Sequence, residues 1–212
     1  YSTDRSALNT KHKNIISYSG NNLILLNTNG SVYAIDILNK NIKWFYNVNN
    51  IVASKNDIFN GISNIIDNRS VLIVGSNSIS ALDIENGNLI WQKNYNIEVD
   101  PVVSSKLILI LTKENYLAFL SKETGEVVWS SNLNNMRKKY SDKKSKNENI
   151  SSMKLMNDNL FLFSENSELI EVSLKDRKIK NIFNLKYDFK SEIIVIKNHL
   201  YFVYKKKLIK LS

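Results

Sequence analysis

Cysteine is absent from the 212-residue sequence, and proline and glycine are scarce, with one and six residues respectively. The absence of cysteine excludes disulfides, thiolate metal sites and thiol nucleophiles within this chain. The scarcity of glycine blurs turn signals, because asparagine takes over positions where glycine is usual. No apolar run approaches the roughly 18 residues of a membrane-spanning helix, so no such helix is predicted.

The first residues carry no signal peptide, and the chain opens on Tyr1 rather than on methionine. We therefore expect a piece of a longer protein, with any targeting segment upstream. The lack of cysteine fits a cytoplasmic and a periplasmic protein equally well, so composition leaves the compartment open.

Apolar and basic residues are both plentiful. Hydrophobic residues make up 43% of the chain and aromatic residues 10%, which is enough for a sizeable core. The formal net charge is +9. A charge of this sign favours anionic partners, namely nucleic acid, anionic lipid headgroups or acidic protein surfaces.

Three segments share alanine and tryptophan at similar spacing, with aspartate in the first two and glycine in the last two. Alanine precedes tryptophan by ten residues in the first two copies and by eleven in the third, which predicts a turn one residue longer there. Two degenerate copies follow, one with Ile182-Phe183 in place of the tryptophan and one that covers 207–211. The residues of the pattern are Ala34, Asp36 and Trp44; Ala81, Asp83, Gly87 and Trp91; and Ala118, Gly125 and Trp129.

Short apolar segments surround each copy and predict four strands per repeat. The second strands begin at residues 23, 71, 107, 160 and 200, so successive copies lie 36 to 53 residues apart. Four short strands at this period are typical of a propeller blade, and helical periodicity is nearly absent. Turns are predicted at Asn29-Gly30, Asn86-Gly87 and Thr124-Gly125. We therefore predict an all-β fold, a β-propeller of four-stranded antiparallel blades with about five repeats.

Two segments interrupt the repeats. Residues 134–150 are rich in lysine and poor in apolar residues, which predicts a long, mobile, basic inserted loop. A shorter irregular connection is predicted at about 47–62. No linker or domain boundary is apparent, so we expect residues 1–212 to form a single, partial propeller domain.

The complete motif Ala-x-Asp-x-x-x-Gly-x-x-x-Trp resembles the PQQ-like β-propeller repeat, and the resemblance runs from about Ile15 to Leu211. It implies a ring of seven or eight blades. We therefore expect further blades upstream, and an N-terminal strand that supplies the missing last strand. The chain departs from the pattern at Lys40, where glycine is typical, and at Leu120 or Ser121, where aspartate is typical.

Two branches of this family differ in function. Quinoprotein alcohol and glucose dehydrogenases hold PQQ and Ca²⁺ in the propeller, whereas the outer-membrane-protein assembly factor BamB is a cofactor-free scaffold. The sequence is more similar to the BamB branch, because it lacks a vicinal cysteine pair, the dehydrogenases' length and a recognisable Asp/Asn/Glu calcium constellation.

The resemblance implies a non-catalytic, protein-binding scaffold without a cofactor or a small-molecule substrate. It also implies a periplasmic location, an upstream lipid anchor at the outer membrane, and protein partners in an outer-membrane assembly complex. The alternatives are a fragment of a PQQ-dependent dehydrogenase and a luminal propeller sensor domain of a eukaryotic stress kinase.

The polar and aromatic residues of the repeat have a structural and a chemical interpretation. Asp36 and Asp83 could pair as carboxylates, but equivalent repeat positions favour a turn role in which each accepts hydrogen bonds from turn amides. The three tryptophans could form a stacking platform for nucleic acid or sugar, but their regular spacing favours packing between blades. His12 and His199 share no motif, which favours surface or strand-edge positions over a metal site. No nucleophile elbow, dinucleotide fingerprint or P-loop occurs.

Basic residues are concentrated in the predicted inserted loop and in the hairpin at 205–207. A solvated surface is the simplest interpretation of both. The alternative is docking to an acidic protein partner or to an anionic membrane surface, whereas nucleic acid is disfavoured because neither cluster is interleaved with several aromatics. The possible partner-binding residues in the loop are Arg137, Lys138, Lys139, Lys143, Lys144 and Lys146.

Overall fold

The computed structural model describes residues 15–27, 30–48, 61–140, 149–187 and 192–211, and they form two compact units, Tyr1–Asn94 and Tyr95–Ser212. Almost all regular structure in these residues is β-strand. Every strand pair in the named sheets is antiparallel and joins strands that are consecutive in the sequence. The described part of the chain thus consists of meanders, in which each strand is hydrogen-bonded to its immediate neighbours in the sequence.

The first unit contains two four-stranded sheets. In the second of them, one inner strand is buried on both faces, with five consecutive buried residues from Val71 to Gly75. The first sheet contains β1 (Ile15–Ser19), β2 (Asn22–Leu26), β3 (Ser31–Asp36) and β4 (Asn41–Asn47). The second contains β5 (Gly61–Asp67), β6 (Ser70–Gly75), β7 (Ile79–Asp83) and β8 (Leu89–Lys93).

The second unit contains two further four-stranded sheets, one helix and a three-stranded sheet. The third sheet contains β9 (Val102–Val103), β10 (Leu107–Leu111), β11 (Tyr116–Ser121) and β12 (Val127–Asn132). Helix α1 (Leu133–Tyr140) follows. The fourth sheet contains β13 (Ile150–Met156), β14 (Asn159–Ser164), β15 (Glu168–Ser173) and β16 (Lys178–Asn184). The last sheet contains β17 (Ile194–Ile196), β18 (His199–Tyr204) and β19 (Lys207–Leu211).

The cores consist of the apolar strands that the sequence indicates. In β10, Ile108 to Leu111 are fully buried, because neighbouring elements cover both faces of this strand. One cluster in the first unit includes Ile24, Val32 and Ile73. A larger cluster in the second unit joins the third and fourth sheets to Leu133 and Met136 of the helix. Among the described residues, no helix is both long and apolar enough to cross a bilayer.

Two predictions on irregular segments have different outcomes. The prediction of a loop from residue 134 is wrong for residues 134–140, because these residues belong to α1. Residues 141–148 lie outside the described part of the chain, as do Asn29 of the first predicted turn and most of the connection at 47–62. A single domain over the whole chain stays a prediction.

Candidate functional site

The turn between the third and fourth strands is built on the aspartate of the repeat. In the first sheet, Asp36 Oδ1 accepts hydrogen bonds from the amides of Leu38 and Asn39 at 2.9 and 3.0 Å. Its Oδ2 accepts another from Asn39 Nδ2 at 2.8 Å. Hydrogen bonds to the charged carboxylate, that of the Asn39 amide first among them, hold the pKa of Asp36 below its ordinary value of 3.8.

Asp83 has the same role in the second sheet. Its Oδ1 accepts hydrogen bonds from the amides of Glu85 and Asn86 at 2.8 and 3.1 Å. Its backbone carbonyl accepts the amide of Gly87 at 2.9 Å. Each carboxylate is therefore bonded to the amides of its own turn, which is the geometry of an Asx turn.

The fourth residue after the aspartate position has a positive φ in all four of the four-stranded sheets. The amide of Gly125 donates to Ser121 O, and that of Arg177 to Ser173 O, both at 2.8 Å. Left-handed backbone favours glycine, so the two long side chains at this position are strained relative to glycine. The residues and φ values are Lys40 at 54°, Gly87 at 75°, Gly125 at 69° and Arg177 at 56°.

The register of the third sheet differs from the sequence alignment by one residue. Trp44 pairs with Ala34, but Trp129 pairs with Phe119, and Ala118 lies opposite Ser130. The expectation of a longer turn in this repeat is therefore wrong, and Phe119 occupies the alanine position. A β-bulge follows this position in both sheets, which fixes the turn length.

A polar pair replaces alanine and tryptophan in the fourth sheet. Glu171 lies opposite Asn181, and the same bulge follows. Asn181 Nδ2 donates a hydrogen bond to Glu171 Oε2 at 2.7 Å, and Lys180 Nζ lies 3.6 Å from Glu171 Oε1. The residue that replaces the tryptophan is thus Asn181, not Ile182-Phe183. Alignment of the repeats missed Asn181 because that alignment followed aromatic and apolar character rather than the distance from the turn.

Trp44 joins the two sheets of the first unit. Its Nε1 donates a hydrogen bond to Ile84 O at 2.8 Å. A Cβ placed on Gly87 would lie 2.6 Å from the Cδ2 of Trp44, so the indole lies directly against the glycine backbone. Only 7% of Trp44 is exposed. The tryptophan and the glycine of successive repeats thus form one contact, which is the role that the packing interpretation assigns to them.

The other two tryptophans have different surroundings. Trp91 is buried, with 8% of its surface exposed. Trp129 is only partly buried, and its ring lies 4.7 Å from that of Phe119. Trp129 is thus accessible from one side, which distinguishes the third repeat from the first two.

Helix α1 begins at an asparagine cap. Asn132 Oδ1 accepts hydrogen bonds from the amides of Asn134 and Asn135 at 3.1 and 3.4 Å. Leu133 and Met136 lie on one face and are buried, and the last turn is basic. An Asn cap, an i, i+3 apolar pair and a basic last turn are helix signals, but over eight residues they are easily overlooked beside lysine-rich sequence.

The basic residues proposed as a partner-binding loop do not form one surface in the described chain. Arg137 is 2% exposed and pairs with Glu168, so it is an internal residue and is not available to a partner. Lys138 and Lys139 are exposed on α1. Lys143, Lys144 and Lys146 lie outside the described residues.

A cavity of about 600 Å³ lies between β12, α1 and the turn that joins β15 to β16. Its buried or partly buried lining consists of the apolar side chains of Trp129, Met136 and Ile179 and the hydroxyl of Ser131. Its exposed lining includes the aromatic ring of Tyr140 and three cations, which are Lys139, Arg177 and Lys178. Sequence reasoning missed this site, because Arg177 and Lys178 belong to a degenerate repeat and Tyr140 to the segment predicted as a loop.

The histidines do not come together as a site in the described chain. His199 lies in β18 with its ring 6.5 Å from that of Tyr201, and His12 lies outside the described residues. Within the described ranges, no three His, Cys, Asp or Glu side chains are grouped as metal ligands.

Two solved structures share this fold. BamB from Moraxella catarrhalis is 15% identical, with a TM-score of 0.63, and the match covers 93% of this chain and 60% of that one. Quinohemoprotein alcohol dehydrogenase from Comamonas testosteroni is also 15% identical, with a TM-score of 0.62 and coverages of 90% and 39%. The predicted β-propeller class is confirmed. The chain spans less than two thirds of the length of either protein.

Sequence comparison gives the family. A search of curated protein sequences finds no match. The family model described as outer membrane protein assembly factor BamB matches residues 5–183, which is most of the chain. The chain therefore belongs to this family of PQQ-like repeat proteins.

Proposed function

We propose that the chain is part of a non-catalytic, protein-binding scaffold that acts in outer-membrane protein assembly. The observation that carries this proposal is the match of the family model described as outer membrane protein assembly factor BamB to residues 5–183. On this proposal the protein works in the periplasm, tethered to the outer membrane by a lipid anchor, and its partners are proteins of the assembly complex.

The geometry of the repeat supports a scaffold role. Asp36 and Asp83 are hydrogen-bonded to the amides of their own turns. Trp44 is bonded to the next repeat through its indole nitrogen. The most regular residues of the chain thus hold strands and sheets together, which leaves exposed positions such as Lys139 and Arg177 to contact partners.

The test is deletion of the full-length gene, followed by measurement of folded β-barrel proteins in the outer membrane by their heat-modifiable mobility. We expect their amount to fall and to recover when the gene is restored, and the protein to fractionate with the outer membrane. Unchanged barrel levels, or fractionation with the cytosol, would contradict the proposal.

A second candidate is a fragment of a PQQ-dependent dehydrogenase, which the likeness to quinohemoprotein alcohol dehydrogenase favours. The two candidates differ in a direct assay. The full-length protein, supplied with PQQ and Ca²⁺ and a series of primary alcohols, would reduce an artificial electron acceptor if it were such an enzyme. We expect no reduction above that of heat-denatured protein.

A further inference from the structure

One turn of the second unit has a side chain where the first unit needs a glycine. Gly87 and Arg177 occupy the same position of the turn. The amide of Gly87 donates a hydrogen bond to Asp83 O at 2.9 Å, and the amide of Arg177 donates one to Ser173 O at 2.8 Å. In both turns the donor lies four residues after the acceptor. Both have a positive φ, 75° for Gly87 and 56° for Arg177. The backbone of the turn is thus retained, but Arg177 carries a Cβ.

The tryptophan that precedes this turn is less buried than Trp44 of the first repeat. At Gly87 a Cβ would lie 2.6 Å from the indole of Trp44, a distance at which the ring could not stay. Trp129 is the tryptophan that precedes the Arg177 turn in the repeat order, and its ring cannot lie against Arg177 in that manner. Trp44 is 7% exposed, whereas Trp129 is only partly buried and lines the 600 Å³ cavity.

The cavity combines an apolar interior with a basic edge. Met136 and Ile179 are 7% and 9% exposed, and with Trp129 they give it an apolar lining. Lys139, Arg177 and Lys178 are exposed around it. The acidic lining residue is Asp176, whose Oδ2 accepts a hydrogen bond from Ser173 Oγ at 2.9 Å. The charged lining therefore has three cations and one carboxylate.

We propose that this cavity binds an acidic segment of a partner protein by an aromatic or large aliphatic side chain. The volume lies within the range of about 300–1,000 Å³ that is usual for binding pockets. An apolar anchor would contact Trp129 and Tyr140, and flanking carboxylates would meet Lys139, Arg177 and Lys178. The proposal rests on the scaffold function and adds the chemistry of the partner to it.

The test is selection of a random displayed peptide library on the immobilised full-length protein. We expect enrichment of peptides with a large apolar residue next to aspartate or glutamate. Their affinity is then measured by fluorescence anisotropy on purified variants. The double variant Arg177→Glu/Lys178→Glu should bind about tenfold more weakly, because two attractive exposed charge pairs become repulsive.

Two matched controls separate the effect of the cavity residues on affinity from the effect of a change in net charge and from the effect of losing an exposed tyrosine. Lys106→Glu/Lys113→Glu makes the same change in charge at exposed positions elsewhere, and it should leave the affinity within about twofold. Tyr140→Ser should weaken binding, whereas Tyr116→Ser should not, although the two tyrosines are 44% and 47% exposed. Thermal unfolding checks that each variant is folded.

Three outcomes would overturn the proposal. The first is enrichment of neutral or basic peptides. The second is peptide binding that is equal in the cavity variants and in their controls. The third is a bound peptide that a free aromatic phosphate displaces but an unlabelled acidic peptide does not. The cell assay separates this proposal from the scaffold function. If the deletion lowers barrel levels but Arg177→Glu/Lys178→Glu restores them fully, the cavity proposal fails and the scaffold function stands.

Discussion

The indole of Trp44 lies so close to Gly87 that a Cβ on the glycine would be 2.6 Å from Cδ2 and 2.7 Å from Cε3. The hydrogen bond from Trp44 Nε1 to Ile84 O, at 2.8 Å, fixes the ring in this position. Trp44 of one repeat thus depends on the absence of a side chain at Gly87 of the next repeat.

Gly87→Ala should destabilise the protein by about 2–4 kcal/mol, because the new methyl group displaces the indole and a non-glycine residue must adopt a positive φ. The measurement is the free energy of unfolding in urea. Gly20→Ala is the control, since Gly20 has a φ of 56° and no atom within 4 Å of its added Cβ. It should cost only about 1 kcal/mol, and equal losses for both variants would contradict the steric explanation.

Lys40→Gly should stabilise the protein by about 0.5–1 kcal/mol. Lys40 has a φ of 54°, which is strained for a residue with a Cβ. Glycine removes this strain, and the free energy gained exceeds the cost of the greater conformational entropy that glycine gives the unfolded chain. Lys40→Ala is the matched control, because it removes the same side chain but keeps the Cβ. A gain in urea midpoint for alanine as large as that for glycine would show that the lysine side chain, not the backbone, is the source.

Much of the fold can be predicted from short-range patterns. The apolar run Leu107–Leu111 is β10 itself, and the turn positions Asp83 and Gly87 have the hydrogen bonds and the φ that their residue types favour. These features depend on residues close together in the sequence. Their physical causes, burial of a strand on both faces and the conformational freedom of glycine, are readable without a structure.

The rest depends on contacts between distant residues. Trp129 pairs with Phe119 rather than with Ala118, and this strand register cannot be read from the residue types at the two positions. Burial of Arg137 depends on Glu168, 31 residues further along. The cavity beside Trp129 is lined by Arg177, which stands at the Gly87 position in a degenerate repeat. Spacing within one repeat therefore predicts the turn, but not what the next repeat places against it.

The pKa of Asp36 predicts a pH dependence of stability. Hydrogen bonds hold this pKa below 3.8 in the folded protein, so the stabilising contribution is present above the pKa of the unfolded chain and is lost as the pH falls through the lower, folded value. Carboxyl ¹³C NMR should give a titration below pH 3.8 for Asp36. Asp36→Asn should be less stable than the wild type at neutral pH, and this difference in the free energy of unfolding should shrink as the pH falls below 3.8. A difference independent of pH would contradict the assignment.

Arg137 of α1 and Glu168 of β15 form an ion pair, with side chains 2% and 13% exposed. Arg137→Ala should cost about 3–5 kcal/mol in the free energy of unfolding, because Glu168 would keep a charge in a site that water barely reaches. Lys138→Ala, at the next and exposed position, should change it by less than about 0.5 kcal/mol. The double variant Arg137→Met/Glu168→Leu removes both charges and fills the space, so it should recover most of the loss. A double variant no more stable than Arg137→Ala would contradict this explanation, because it leaves no unpaired charge and fills the space that the arginine occupied.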